Sequence, residues 1–253
     1  MSDIHYHAIP GAARIAYRYT QGTGPCLIFL PGYMSDMDGS KASALFDWAR
    51  ANQRACLLMD YSGCGRSEGQ FANGTLSQWR DEVLALILAM GLERVVLVGS
   101  SMGGWLMLLV GLAIHERLAG LIGIAAAPDF TQWGYDGAQR AALAAGETVF
   151  EDNPYGPDPT PTHPGFFADA EAQCLLGSPV AITAPVRLLH GQQDADVPFN
   201  ISVRLAAALR SGDVQVTLVK QGDHRLSRPQ DIALLLRTAD TLLTQLAMGL
   251  ERA

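Results

Sequence analysis

Positive charge is scarce in this chain. Lys and Arg number 18 against 25 Asp and Glu, giving a net charge of −7, and no basic cluster occurs. Nucleic-acid partners draw affinity from clustered cations, so this balance argues against them. It equally provides no polybasic anchor for anionic lipid. Cysteine is sparse too. Cys26, Cys56, Cys64 and Cys174 form neither a C-x-x-C nor a metal-ligand spacing, so neither a disulfide framework nor a metal site is expected. Cys26 and Cys56 fall in expected buried strands, where a free thiol behaves as a small hydrophobe. The opening residues contain neither an apolar core nor an Arg-rich amphipathic stretch, and no secretory or transit signal is read there. Internal repeats are absent. What is abundant is apolar surface: 49% of the 253 residues are hydrophobic, enough for one large core.

Strand-like runs recur at Arg14–Tyr19, Cys26–Leu30, Arg54–Met59, Val95–Val98, Leu121–Ala126, Val186–Leu189 and Val214–Val219. Helical patterns separate most of them. One opens on Thr75 with Gln78 three residues on, a capping-box spacing, carries Trp79, Val83, Leu86, Ile87 and Met90 on one face, and stops at Gly91. The last helix repeats the spacing with Ser227 and Gln230, ahead of Ile232, Leu235, Leu236, Leu242, Leu243 and Leu246. Such alternation predicts an α/β fold, with a mostly parallel central sheet covered by helices on both faces. Between Asp129 and Ser178 the rhythm lapses. Phe130, Trp133, Tyr135, Phe150, Tyr155, Phe166 and Phe167 accumulate there, and five prolines lie between Pro154 and Pro164. The stretch is too aromatic for a disordered linker and reads as a small cap over the carboxyl end of the sheet, the edge where ligands bind. The expected division is a core of residues 1–128 and 179–253, with residues 129–178 as a cap within the same domain.

The centre of the chain carries its chemistry. The run Val95–Val98 meets a G-x-S-x-G at Gly99, Ser101 and Gly103, and an apolar helical pattern follows. A strand, a glycine-flanked serine and a helix in that order form a nucleophile elbow, which lifts a serine hydroxyl above the sheet end. Ser100 lacks the paired glycines, so Ser101 is the expected nucleophile. The uncharged stretch Val95–Ile114 is long enough to span a bilayer. Its early glycines and the absence of a basic flank favour a buried strand, turn and helix instead.

A serine needs a base, and the base needs an acid to fix its tautomer. Where this elbow occurs, the order along the chain is Ser, acid, His. Asp194 follows the strand Val186–Leu189 and is the expected acid; Asp196 reads as a loop carboxylate, and Asp129 is more remote. Of six histidines, only His224 sits in a loop after the last strand and downstream of the acid. His5 and His7 precede the core, His115 ends the elbow helix, His163 lies in the cap, and His190 is expected to be buried at a strand end. Asp223 reads as a solvated charge. The oxyanion donors are expected to be the backbone N–H groups of Met102, at a helix N-terminus, and Tyr33, after the turn-permitting Gly32. Tyr61–Gly65 is glycine-rich but leads into no helix, so it reads as a tight surface turn. No cofactor is expected.

The segments Pro31–Ala42, Asp60–Ser67, Gly99–Met107, Cys174–Pro179, Pro185–Gly191 and Asp223–Arg225 resemble the α/β-hydrolase superfamily. Within it they look like the group of α/β-hydrolase domain-containing protein 10 and its bacterial relatives. That resemblance implies the α/β-hydrolase fold and a Ser101–Asp194–His224 triad. It also implies cleavage of acyl groups from cysteine thioesters or of acyl glucuronides. The expected partners are thus a small-molecule ester or an acylated cysteine. A carboxylesterase of other specificity, or a ligand receptor on the same fold, is the alternative. Animal members of the group are mitochondrial; with no presequence read here, the expectation is a cytoplasmic protein. Acyl length, leaving group and oligomeric state are left undefined by the sequence.

Overall fold

The computed structural model describes residues 4–9, 13–154 and 156–250. Ten strands occur among the described residues: β1 (His5–Ala8), β2 (Arg14–Thr20), β3 (Thr23–Leu30), β4 (Arg54–Met59), β5 (Val95–Ser100), β6 (Leu118–Ile124), β7 (Val149–Glu151), β8 (Thr160–Thr162), β9 (Val186–Gly191) and β10 (Val214–Val219). The α-helices are α1 (Ser40–Ala51), α2 (Leu76–Ala89), α3 (Met102–Ala113), α4 (Phe130–Trp133), α5 (Gly137–Ala144), α6 (Pro164–Glu171), α7 (Asn200–Ala208) and α8 (Pro229–Leu250). Eight strands make one sheet in the order β1-β2-β4-β3-β5-β6-β9-β10. The β1–β2 and β2–β4 pairs are antiparallel and the rest parallel.

Helices cover both faces, and the strands alternate between the two cores they create. Ile28 and Leu30 of β3, with Val95 and Leu97 of β5, join the core under α2 and α3. Leu27, Phe29, Val96 and Val98 point the other way, into the core under α1 and α8. Because both faces are buried, these strands read as continuous apolar runs. The chain moves outward from β3 to β4 and then crosses back to β5, so β3 and β5 flank the point where strand order reverses. A crevice opens beyond the carboxyl ends of such a pair.

The expected elements recur with local differences. Thr75 caps α2, its hydroxyl oxygen accepting from the Gln78 N–H. The Gln78 side chain turns away to the Ser62 hydroxyl and Glu82 instead of closing a capping box. Helix α8 is not capped by Ser227, whose hydroxyl donates to the Arg225 carbonyl. It begins at Pro229, and the Asp231 carboxylate accepts from the Arg228 backbone and guanidinium. Proline suits that first position, and the acid three residues beyond the cap supplies the acceptor. Strand β6 starts at Leu118, earlier than expected, and ends before Ala125, whose φ of 44° leaves the extended region. The edge strand β1 was not anticipated, because its short polar run shows no apolar alternation. The Tyr61–Gly65 turn is largely internal: Tyr61, Ser62 and Cys64 are buried, and Gly65 alone is exposed. The Tyr61 hydroxyl donates to the Pro31 carbonyl, and Asp60 accepts from the N–H groups of Met37 and Arg66. A polar, glycine-rich string is thus internal because its polar groups are satisfied by distant backbone.

Between β6 and β9 the chain leaves the sheet. Helices α4 and α5, the antiparallel hairpin β7–β8 and helix α6 form an insert, the cap. Its base is tied by Asp129, whose carboxylate accepts the N–H groups of Leu175 and Leu176, while the Trp105 indole donates to the Gln173 carbonyl. Phe166 and Phe167 are buried, whereas Phe150 is exposed; Tyr155 lies outside the described residues. No helix among the described residues is long and apolar enough to cross a membrane.

Candidate active site

Strand β5 ends at Ser100 and α3 starts at Met102, which leaves Ser101 alone to turn the chain, at φ 54° and ψ −120°. That is a costly backbone conformation for a residue with a Cβ, and it persists only where the surroundings impose it. They do so through close packing. A Cβ on Gly99 would lie 2.3 Å from the Gly103 carbonyl oxygen, one on Gly103 2.1 Å from that of Leu30, and one on Gly104 2.5 Å from the Ala126 Cβ. Three glycines therefore let the first turn of α3 settle onto β5, the end of β3 and Ala126 just past β6. The Ser101 N–H donates to the Ile124 carbonyl, which secures the turn.

The Ser101 Oγ lies 3.1 Å from the His224 Nε2, and the His224 Nδ1 lies 2.9 Å from the Asp194 Oδ2. A carboxylate only accepts, so Nδ1 carries the proton and Nε2 is left to accept from the serine hydroxyl. Asp194 is wholly buried behind the imidazole, and its Oδ1 accepts the N–H groups of Asp196 and Val197. A further partner was not foreseen: the His190 Nε2 lies 3.1 Å from the Asp194 Oδ2. The same nitrogen approaches the Val197 carbonyl at 2.9 Å, so it is a donor, while Nδ1 meets the Ser202 hydroxyl at 2.7 Å. Burial pushes the Asp194 carboxyl up, but the hydrogen bonds from His190 and His224 outweigh it and hold the group well below the usual carboxylate range. Asp194 is thus kept ionised under the histidine.

Ser101, His224, Gly32, Tyr33 and Met102 line one cavity of about 570 Å³ beyond the ends of β3 and β5. Gly32 packs directly on the elbow: a Cβ there would lie 3.3 Å from both the Ser100 carbonyl and the Ser101 Cβ. Phe130, Trp133 and Tyr135 of the cap make one wall apolar. Ser40, Lys41 and Arg225 contribute a polar wall on the α1 side, with Asp36, Glu151, Asp152 and Asp196 also at the cavity. Burial lowers the Lys41 ammonium to about 8, helped by the neighbouring Arg225 charge and opposed by Asp223 and Asp231. Its Nζ donates to the Arg225 carbonyl.

The other sequence candidates fall elsewhere or take lesser positions. Ser100 is buried at the strand end. Asp129 holds the cap base, His115 is exposed beside Glu116, and His163 meets the Thr148 hydroxyl. His5 and His7 sit on the edge strand β1. Asp223 is exposed and accepts the Leu226 N–H. Asp196 is 37% exposed and its Oδ2 lies 4.0 Å from the His224 Nε2, near but not behind the imidazole. Asp194, Asp196 and His224 offer ligand atoms within 4.8 Å of one another. Both imidazole nitrogens already serve Asp194 and Ser101, so the cluster fits a proton-transfer chain better than a metal site.

The comparisons agree with this architecture. The model of the alpha/beta hydrolase family matches residues 27–244. The chain is 40% identical over 239 residues to the mouse (Mus musculus) palmitoyl-protein thioesterase ABHD10, mitochondrial, covering 92% of this chain and 80% of that protein. It is 37% identical over 247 residues to the human (Homo sapiens) protein of that name, covering 94% and 79%. The solved structure of mouse alpha/beta hydrolase domain-containing protein 10 superposes with a TM-score of 0.90 at 36% identity, covering 97% of this chain and all (100%) of that one. The chain belongs to the alpha/beta hydrolase family, and it is a hydrolase.

Proposed function

We propose that the chain cleaves acyl thioesters and esters through an acyl-enzyme on Ser101. The observation that carries this reading is the unbroken line from the Ser101 Oγ through His224 to the buried Asp194, with steps of 3.1 and 2.9 Å. As the Oγ attacks the acyl carbonyl, its proton passes to the His224 Nε2 and the carbonyl π pair moves onto oxygen. Asp194 stabilises the resulting imidazolium. The Tyr33 and Met102 N–H groups hold the oxyanion; one such donor is worth about 2.7–4 kcal/mol where it has been removed. Collapse expels a thiolate or alkoxide, which takes the proton from Nε2. Water then repeats the sequence on the acyl-serine and frees the acid.

Thioesters head the reading because relatives at 37–40% identity are named palmitoyl-protein thioesterases. The apolar wall of Phe130, Trp133 and Tyr135 supports an acyl chain on the cap side. Four unpaired cysteines suit a reducing compartment, and the cytoplasm is the one we propose. The test is kcat/KM for wild type and Ser101→Ala across matched thioesters and oxygen esters, from acetyl to palmitoyl. Each buried methylene contributes about 0.8 kcal/mol, so a Ser101-dependent rate that climbs with chain length on thioesters is expected. A flat profile would reduce the reading to a general small-ester hydrolase. Ligand binding without turnover would replace it with a receptor.

A further inference from the structure

Tyr33 faces two ways. Two residues past Pro31 and next to the Gly32 that packs on Ser101, it belongs to the lining of the cavity at the serine. Its side chain reaches the cap, where the hydroxyl donates to the Pro161 carbonyl of β8 at 3.0 Å, across 128 residues of sequence. The ring fills the seam between core and cap. It meets Phe71 and Phe166 at centroid separations of 4.9 Å each, and Phe130 at 6.3 Å. The neighbouring residue of β8, Thr162, is buried and bonded to the Tyr135 hydroxyl at 2.7 Å. The cap hairpin therefore rests on two tyrosines: one belongs to the oxyanion loop, and the other lines the cavity.

We propose that the Tyr33 side chain is a positioning group that couples the seating of the cap to the geometry of the oxyanion hole. This rests on the reading above, in which the Tyr33 N–H is an oxyanion donor. A backbone donor acts only when its N–H is aimed at the place where charge develops, and small misplacements are expensive. The segment Pro31–Gly32–Tyr33 follows the end of β3, so its path is not set by the sheet ladder. The Tyr61 hydroxyl holds the Pro31 carbonyl and the Ser35 N–H the Gly32 carbonyl; the hydroxyl–carbonyl bond to β8 and the aromatic seam add the restraint at Tyr33 itself. Burial holds the Tyr33 phenol well above its usual range, so it remains a donor at every working pH. Because Phe130 and Tyr135 touch both the cavity and this seam, an acyl chain lying along them presses on the groups that hold Tyr33. Cap seating is then expressed in turnover rather than in ground-state affinity.

The experiment compares wild type with Tyr33→Phe, which keeps the ring and deletes one hydroxyl. Two inhibitors of equal chain length separate positioning from packing. An alkyl trifluoromethyl ketone adds Ser101 and places an oxyanion in the hole, with the hydroxyl proton passing to His224; the matching alkyl ether cannot react and reports ground-state binding. For an octanoyl thioester the expected result is a kcat about tenfold lower, KM within about twofold, and the ketone weakened by the same factor of about ten while ether affinity holds. Tyr135→Phe, which loosens the hairpin from its other tether without touching the oxyanion loop, should reproduce the selective loss of ketone affinity. Unchanged kcat in Tyr33→Phe, or equal weakening of ketone and ether, would overturn the coupling. Ser101→Ala keeps the two claims apart. If it still turns over, the catalytic reading fails; if it is dead while Tyr33→Phe equals wild type, only the coupling fails.

Discussion

The His190 Nε2 and the Asp194 Oδ2 lie 3.1 Å apart, and both side chains are completely buried. Asp194 therefore has a histidine on either side: His224 in front, toward the serine, and His190 behind, fixed by Ser202 and the Val197 carbonyl. Burial alone would push the carboxyl toward its neutral form; the hydrogen bonds from the two histidines and from the Val197 N–H outweigh it, and the pKa is depressed. A depressed carboxyl adds stability that is complete above its unfolded value of about 3.9 and is lost as pH falls through the folded value.

Replacing His190 by Leu removes one of those bonds and raises the folded pKa of Asp194. The loss of stability should then begin at a higher pH, and the pH midpoint of acid unfolding, followed by circular dichroism, should move upward. At pH 7 the cost should be about 2 kcal/mol, the range for a hydrogen bond to a buried charge. An acid midpoint equal to wild type would leave His190 with a packing role only.

At position 101 the backbone angle and the chemistry can be separated. Ser101 sits at φ 54° and ψ −120°, where glycine is unstrained and alanine is not. Both Ser101→Gly and Ser101→Ala should be inactive, but the glycine variant should be more stable than the alanine variant by about 1 kcal/mol in urea unfolding. Equal stability would show that the elbow carries no such strain.

Asp194→Asn should lower kcat by about four orders of magnitude, because an amide no longer enforces the Nδ1–H tautomer. Asp196→Asn should change kcat less than about tenfold, since its Oδ2 stands 4.0 Å from Nε2 rather than behind Nδ1. The opposite order of effects would transfer the acid to Asp196.

Glycines of α3 should divide sharply. Gly103→Ala forces a Cβ to 2.1 Å from the Leu30 carbonyl oxygen and 2.4 Å from that of Pro31, backbone atoms that cannot turn aside, and should yield little soluble protein. Gly111→Ala meets side-chain methyls alone: the Leu118 Cδ2 at 3.2 Å, able to give way, with Ile182 Cδ1 at 3.6 Å and Leu121 Cδ2 at 3.7 Å in ordinary contact. It should unfold within about 1 kcal/mol of wild type, because alanine is the better helix former by about that amount.

Much of this was legible one segment at a time. The elbow shows in the sequence because its requirements are local: an apolar strand, small residues where backbones touch, and a helix that begins at Met102. Thr75 and Gly91 bracket α2 for equally local reasons, a side-chain acceptor at one end and a φ of 61° at the other. Asp194 and His224 could be chosen because strand ends and chain order restrict the choices to a few loops. The misreadings arose where local composition pointed one way and distant partners another. Tyr61–Gly65 looks like surface until the Pro31 carbonyl accepts the Tyr61 hydroxyl and the site of every polar atom is counted. Ser227 looks like a cap until Pro229 and Asp231 provide a better helix start.

By itself the sequence determined the α/β alternation, the doubly covered parallel sheet, and the serine, acid and histidine in order, since each follows from patterns within about 20 residues or from fixed chain order. Only the tertiary structure decided which groups surround them. It set His190 against Asp194, bent the Asp129 carboxylate onto the N–H groups of Leu175 and Leu176, and brought the Tyr33 hydroxyl to the Pro161 carbonyl. Those contacts join residues on separate turns of the chain. They exist because burial makes an unpaired polar group costly, and which partner satisfies it depends on how the sheet and cap pack, a relation no local pattern encodes.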